Sequence, residues 1–250
     1  MLRGLLLSLL CFVVPAAGMS GGRAHAAEPA LRVVVLENSP PMSYRDETGQ
    51  LTGFSVEIAR ALCQEIRASC VFDVAAQEAL LDTVAQGKAD IAAAAVFANP
   101  DRRGKLLFAK PYYRSLSLWL GRPDVMPGRA GVRVAVVQGS AQEDYARKQG
   151  WAIHEVRSNG ELAGSLVGGE AQAALVPMTS ALQLQKNDPF RRLGLAPTVL
   201  RAPELSGDAS FGISPRRPGL REEIDAALDR IKRNGTYDRI NSRFLPFRVS

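Results

Sequence analysis

Short apolar runs alternate along the chain with segments whose apolar residues recur at helical spacing. Runs of four to eight apolar residues predict strands that are buried in a sheet. They cover Leu31–Leu36 and residues 71–75, 90–96, 132–137, 172–176 and 211–214. Strands that alternate with helices indicate βα units and parallel sheets, so the pattern favours an α/β fold.

Four segments predict helices. They are residues 56–66, residues 80–84, a segment that begins at Ser140, and residues 220–231. Ser140 and Glu143 stand in the S-x-x-E relation of a capping box, which indicates a helix start. The last helix has acidic residues early, basic residues late and Asn234-Gly235 at its end, as the helix dipole and C-cap preferences require.

Composition and charge narrow the class of protein. The chain has 250 residues, enough for one large domain or two small ones. With 46% hydrophobic and 22% charged residues it is typical of soluble globular proteins. The formal net charge of +6 is modest, and the Lys and Arg residues are spread along the chain. We therefore expect no nucleic-acid partner.

The N-terminus has the pattern of an export signal. A positive start with Arg3 precedes an apolar segment at 5–14, and Ala24-His25-Ala26 supplies the small-x-small pattern of a cleavage site. The apolar segment is too short to span a bilayer of ~30 Å as a helix. The alternative to a signal peptide is a buried N-terminal helix. We predict a cleavable signal peptide over residues 1–26 and export of the mature chain.

Two cysteines remain after the predicted leader is removed, Cys63 and Cys70, seven residues apart. In an oxidising compartment they can form a disulfide if the chain turns between them, and two free thiols are the alternative. Two ligands are too few for a metal site, and the single mature-chain histidine, His154, is distant in sequence. We expect no metal ion and assign His154 no role.

Six short motifs occur in a characteristic order. They are GQLTGF at 49–54 after Tyr44, GKAD at 87–90, NPDR at 99–102, FAKPYY at 108–113, VVQGS at 136–140 and NGTYD at 234–238. With these motifs in this order, the sequence resembles the family 3 periplasmic solute-binding proteins of polar amino-acid ABC importers. The Cys63/Cys70 spacing is similar to that of the disulfide in the lysine/arginine/ornithine- and histidine-binding members.

The resemblance implies a two-lobed fold with a mostly parallel sheet and flanking helices in each lobe. Two hinge strands would join the lobes, and a small-molecule ligand would bind between them. Residues 27–115 and 209–250 would form the first lobe, and residues 116–208 the second. The resemblance further implies a monomer without cofactor that delivers its ligand to an inner-membrane ABC permease.

Arg102 is the leading candidate for ligand binding. Asn99 is a favourable N-cap and Pro100 a favourable first helical residue, which places Arg102 in the first turn of a helix. A guanidinium can hold a carboxylate through two parallel hydrogen bonds, and the resemblance assigns the ligand's α-carboxylate to this position. The alternative is a solvated helix arginine, with Arg103 as a rival. Ser140 is the second candidate, from the other lobe.

The candidate site departs from the family pattern. Pro177 stands where the resemblance implies an acidic partner for the ligand's ammonium group. Other positions that the family pattern makes polar, acidic or aromatic are here Leu36, Ser39, Gln77, Ala94, Ala95 and Phe97. A buried ammonium without an anionic partner is costly, so we predict a small organic acid with Phe97 as a wall. Glu37 or Glu78 would restore an ammonium site if either faced the ligand.

Two other functions are open at this point. Cyclohexadienyl dehydratases resemble the same family and use a cleft carboxyl as general acid, a part that Glu37 or Glu78 would have to play. Some relatives appear beside periplasmic quinoprotein dehydrogenases as accessory proteins, and a diverged site is compatible with that role. The sequence shows no nucleophile triad or phosphate-binding glycine loop, so we predict no catalytic residue.

Overall fold

The computed structural model describes residues 30–248, so the predicted signal peptide lies outside the described residues. The strands are β1 (Leu31–Leu36), β2 (Tyr44–Arg45), β3 (Leu51–Thr52), β4 (Cys70–Ala75), β5 (Ile91–Phe97), β6 (Leu107–Phe108), β7 (Tyr113–Gly121), β8 (Arg133–Val137), β9 (Ala152–Val156), β10 (Ala173–Pro177), β11 (Ala196–Val199) and β12 (Ser206–Ile213). The helices are α1 (Phe54–Glu65), α2 (Gln77–Ala85), α3 (Pro100–Arg103), α4 (Ala141–Lys148), α5 (Leu162–Val167), α6 (Met178–Leu184), α7 (Asp188–Arg191), α8 (Leu220–Arg233) and α9 (Thr236–Phe244). Within this part of the chain no helix is both long and apolar enough to span a bilayer.

Eight strands lie in the order β4-β1-β5-β12-β7-β10-β8-β9, with β6 paired to β12 and β11 to β7. On one side β1 runs parallel to β4 and β5, and on the other β8 runs parallel to β9 and β10. We term the part with β4, β1 and β5 the first lobe and the part with β10, β8 and β9 the second lobe. The predicted mostly parallel sheet of each lobe is therefore present.

The strands β7 and β12 pair antiparallel in the middle of the sheet. The beginning of β7 pairs with β12, and its continuation from Ser117 pairs with β10 of the second lobe. The predicted lobe boundaries at 115/116 and 208/209 fall inside these two strands, and the hinge role of the strands stays a prediction.

Five of the six predicted strands are correct to within one residue. The sixth begins at Ser206 instead of 211, because Ser206–Asp208 is polar and pairs with the equally polar start of β7. The predicted end of α8 at Asn234 is correct. The sequence analysis did not predict α9, which follows directly because Gly235 takes a left-handed conformation and reverses the chain.

The first lobe has its core between the sheet and the helices α1, α8 and α9. Phe54 lies at its centre and contacts the rings of Tyr112, Tyr113 and Tyr237 at centroid distances of 5.8, 6.0 and 5.9 Å. The hydroxyl of Tyr237 donates to the Tyr112 carbonyl. Such aromatic contacts add about 0.5–1.5 kcal/mol each beyond area burial, so Tyr113 is held on a rigid base.

The predicted disulfide between Cys63 and Cys70 is confirmed. Cys63 lies on α1 and Cys70 begins β4. Between them the chain reverses at Arg67, whose φ of 57° is the left-handed conformation. The bond therefore ties the end of α1 to the edge strand of the first lobe.

Replacing both cysteines, as Cys63→Ser with Cys70→Ser, is expected to lower the free energy of unfolding by about 2.5 kcal/mol. The physical reason is that the short loop no longer restricts the unfolded chain. Urea unfolding with and without reductant measures this effect. Reductant should bring the wild-type protein to the stability of the double variant and leave the variant unchanged. An equal effect of reductant on both proteins would contradict the prediction.

Candidate functional site

A cavity of about 70 Å³ lies between the two lobes, and we term it the inner cleft. Its walls come from the carboxyl ends of β1 and β5 in the first lobe and of β8 and β10 in the second. In open α/β sheets this is the edge at which ligands bind, because loops and helix starts from several strands converge there.

Arg102 brings a positive charge to the inner cleft. The Asn99 side chain accepts a hydrogen bond from the Arg102 N–H at 2.9 Å, so the predicted N-cap is confirmed. The Arg102 side chain is half-buried and reaches the Phe97 carbonyl at 3.4 Å. It forms no salt bridge with a carboxylate of residues 30–248. Burial lowers the pKa of Arg102, whereas the charge of Asp144 raises it. An arginine nevertheless keeps its proton at neutral pH.

Ser140 lies opposite, at the start of α4. Its Oγ accepts the N–H of Glu143 at 3.1 Å, which confirms the predicted helix start. The Glu143 carboxylate accepts the N–H of Gly139, one residue before the position that a standard capping box uses. Because Ser140 Oγ acts as an acceptor in the cap, its own O–H remains able to donate into the inner cleft.

The structure brings together most of the predicted site residues. The ones that line the inner cleft are Ser39, Gln77, Ala95, Phe97, Arg102, Ser140 and Pro177. Asn99 does not line it; this residue caps α3 and faces a larger neighbouring cavity. Its side-chain oxygen accepts the Arg102 N–H in the cap, and this is why Asn99, unlike the other predicted site residues, does not face the inner cleft. The ligand-binding roles of all eight residues stay predictions.

No aspartate or glutamate is among the residues that line the inner cleft. Glu37 and Glu78 are both exposed, and neither reaches this cavity. Pro177 ends β10 and lines the cleft at the position where the family pattern implies an acid. Arg102 is therefore the one charged side chain on the described walls, and the inner cleft is electropositive.

The other polar lining groups are neutral, and the sequence analysis missed several of them. They are Ser43, Ser55, Tyr113, Ser115, Gln142, Asn159, Thr179 and Ser180. Burial raises the pKa of Tyr113, so its hydroxyl keeps its proton at neutral pH. Asn159, Thr179 and Ser180 follow the carboxyl ends of β9 and β10, and that position in the sequence was the signal that would have found them.

Gln142 is held by a chain of buried hydrogen bonds. Its Nε2 donates to Ser117 Oγ at 2.8 Å, and that hydroxyl donates to the Leu205 carbonyl at 2.8 Å. These partners fix which way the amide is turned. The second-lobe wall therefore presents an oriented amide as well as hydroxyl groups.

Direct contacts connect the lobes beside the inner cleft. The Asn159 amide donates to Ser39 Oγ at 2.9 Å and accepts from the Ser180 hydroxyl at 2.8 Å. The Gly160 N–H donates to the Asn38 carbonyl at 3.0 Å. On another side Gly139 lies against Glu78, and a Cβ built on Gly139 would be 2.6 Å from the Glu78 Cα. The lobes thus touch through hydrogen bonds and through two glycines, Gly139 and Gly160, where a side chain would overlap the other lobe.

Comparison with known proteins agrees with this architecture. The sequence profile of the bacterial extracellular solute-binding proteins, family 3, matches residues 31–247. The ABC transporter arginine-binding protein 1 of Escherichia coli K12 is 24% identical, over 89% of this chain and 93% of its own length. The amino-acid-binding protein AabA of Dichelobacter nodosus is 27% identical, over 99% of this chain and 97% of its own length.

Solved structures show the same fold. An ancestral arginine-binding protein bound to arginine superimposes with a TM-score of 0.77 at 23% identity, over 88% of this chain and 99% of that chain. An ancestral amino acid-binding protein, a precursor of cyclohexadienyl dehydratase, gives 0.75 at 24% identity, over 86% and 95%. The predicted two-lobed α/β fold and the predicted periplasmic localisation are confirmed.

Replacing Gly139 by Ala is expected to hold the lobes apart, because the new methyl group would overlap the Glu78 backbone. Gly150→Ala is the matched control: Gly150 also has a positive φ, 68° against 74°, but a Cβ there meets nothing within 4 Å. Small-angle X-ray scattering should give a larger radius of gyration for Gly139→Ala than for Gly150→Ala. Equal radii for the two variants would refute close lobe contact at Gly139.

Proposed function

The chain belongs to the bacterial extracellular solute-binding proteins of family 3, and on that premise we propose that it delivers a small carboxylate-bearing solute to an ABC importer. The solute is an organic acid or an amino-acid-like compound. It binds between the two lobes, and an inner-membrane permease receives it from the loaded protein. The protein acts in this role as a monomer.

The observation that carries the proposal is the position of Arg102. Its guanidinium lies on the wall of the inner cleft, half-buried and without a salt bridge to any carboxylate of residues 30–248. A guanidinium removed from water gains most from an anionic partner with matching geometry, and a carboxylate offers two parallel acceptors. The hydroxyl of Ser140, from the other lobe, adds a donor for the same anion.

The described walls of the inner cleft have no acidic side chains, and this limits which charges the bound part of the ligand can carry. A ligand ammonium group placed there would lose its hydration and find only neutral groups. An unpaired buried charge costs several kcal/mol after relaxation. Two relatives are named for binding arginine and histidine. The ligand proposed here differs from both of those amino acids. The part of the ligand that enters the inner cleft is anionic or neutral.

A dehydratase-like enzyme is the second candidate, favoured by the structural likeness to the precursor of cyclohexadienyl dehydratase. That chemistry needs a carboxyl general acid at the substrate. Glu37 and Glu78, the two candidates for this part, lie on the surface outside the inner cleft. The geometry therefore supports binding without turnover. The accessory role beside a quinoprotein dehydrogenase stays a prediction that gene neighbours test.

Arg102→Gln should weaken binding of the best carboxylate by roughly 100-fold, because two charge-assisted hydrogen bonds are lost. A thermal-shift screen of short mono- and dicarboxylates on the mature protein selects the probe. A ligand at a hundredfold excess over its Kd adds ~2.7 kcal/mol of stability. Calorimetry then measures the affinity of each variant.

Arg103→Gln is the matched control for this experiment. Arg103 is the neighbouring cation, but it is exposed, donates to the Ala98 carbonyl at 2.9 Å and does not line the inner cleft. Its loss should change carboxylate affinity less than about threefold, in the range of surface charges. Equal losses in the two variants would show that general positive charge, and not Arg102, attracts the ligand.

A further inference from the structure

A second, larger cavity adjoins the inner cleft. It measures about 690 Å³, and we term it the outer chamber. Phe97, Arg102 and Ala141 line both cavities, so these residues stand at the boundary between them. Because the Arg102 side chain is on both walls, a carboxylate held by it can belong to a ligand that extends into the outer chamber.

The outer chamber, unlike the inner cleft, has acidic side chains on its walls. Asp144 is on the first turn of α4 and lines this chamber. Arg102 lines the same chamber, and the negative charge of Asp144 raises the pKa of Arg102. The two side chains form no salt bridge, and the Asp144 carboxylate accepts no hydrogen bond from residues 30–248. Both charged groups therefore keep their bonding capacity for a ligand.

The other acids of the chamber do not take this part. Asp208 pairs with Arg114 at 3.2 Å, and Asp225 accepts the N–H of Lys110. Asp101 also lines the chamber, but it adjoins Arg102 on α3 and so belongs to the same lobe, and Glu204 lies in the exposed segment before β12. Asp144 is also the acid that α4 of the second lobe contributes, whereas Arg102 belongs to the first lobe.

We propose that the ligand is an amino acid whose ammonium group is separated from its carboxylate by several bonds, with the carboxylate on Arg102 and the ammonium beside Asp144 in the outer chamber. The proposal rests on the proposed carboxylate-binding function and specifies its substrate class. An α-amino acid fits less well, because its ammonium group adjoins the carboxylate and the inner cleft holds no acid. The intervening methylene groups pack against the rings of Phe97 and Tyr145, which also line the chamber.

The geometry gives this ligand a mechanical role. One end is bound by the first lobe and the other by the second, so a ligand of the right length links the lobes directly. A plain carboxylate of the same chain length makes only the Arg102 contact. The ammonium group should therefore improve affinity, and the improvement should depend on Asp144.

The test uses calorimetry with 4-aminobutanoate, 5-aminopentanoate and 6-aminohexanoate, each against its parent carboxylate. In the wild-type protein at least one amino compound should bind about fivefold more tightly than its parent, the upper range for a partly exposed charge pair. Asp144→Asn should abolish that preference, because the ammonium group then has no anionic partner and the amino compound binds no more tightly than its parent carboxylate. Glu47→Gln is the control, because Glu47 is exposed and lines neither cavity.

The outcomes separate this inference from the proposed function. If parent carboxylates bind through Arg102 but no amino compound gains affinity, or the gain survives Asp144→Asn, the Asp144 proposal is overturned and carboxylate binding stands. If no carboxylate of the thermal-shift screen binds, or Arg102→Gln binds carboxylates as the wild type does, both proposals are overturned.

Discussion

A half-buried cation that forms no salt bridge within residues 30–248 is the constraint on which the site depends. Arg102 is anchored on α3 by the Asn99 cap, and the described walls of the inner cleft hold no carboxylate that neutralises it. Removing a charge from water is expensive unless a partner with good geometry replaces the water. The arrangement is therefore stable with an anion present, and it disfavours a second cation beside the first.

The fold places that cation where a ligand completes a contact between lobes. Two antiparallel strands, β7 and β12, lie between the lobes in the sheet, while Ser140 and Asn159 approach from the second lobe. The side chains of Asn159 and Ser39 form a hydrogen bond between the two walls. Gly139 has no side chain, so the backbone of the second lobe can lie directly against Glu78 of the first. Excluding water from such a space strengthens each charged contact inside it.

Periodicity and capping rules predicted about half of the helices and strands of residues 30–248. The apolar run of β1, the capped start of α4 and the end of α8 depend on local chemistry, and each is correct. β7 was missed because Arg114, Ser115 and Ser117 interrupt its apolar pattern, and its pairing with β12 joins residues far apart in sequence. The same reason hid Asn159 and Gln142, whose positions beside the cleft come from tertiary contacts. The Asn99-Pro100 pattern predicted that Asn99 caps α3. It could not predict whether the same side chain also contacts a ligand, because that depends on which cavity the side chain faces.

The central claim is that the cleft accepts a carboxylate but offers no partner for an adjacent ammonium group. Calorimetric titration of the mature protein with hexanoate and with 2-aminohexanoate tests it most directly, since the two compounds differ only by the α-amino group. The account predicts that the amino group weakens binding by about tenfold or more, because it is desolvated without an anionic partner. Tighter binding of 2-aminohexanoate than of hexanoate would contradict it.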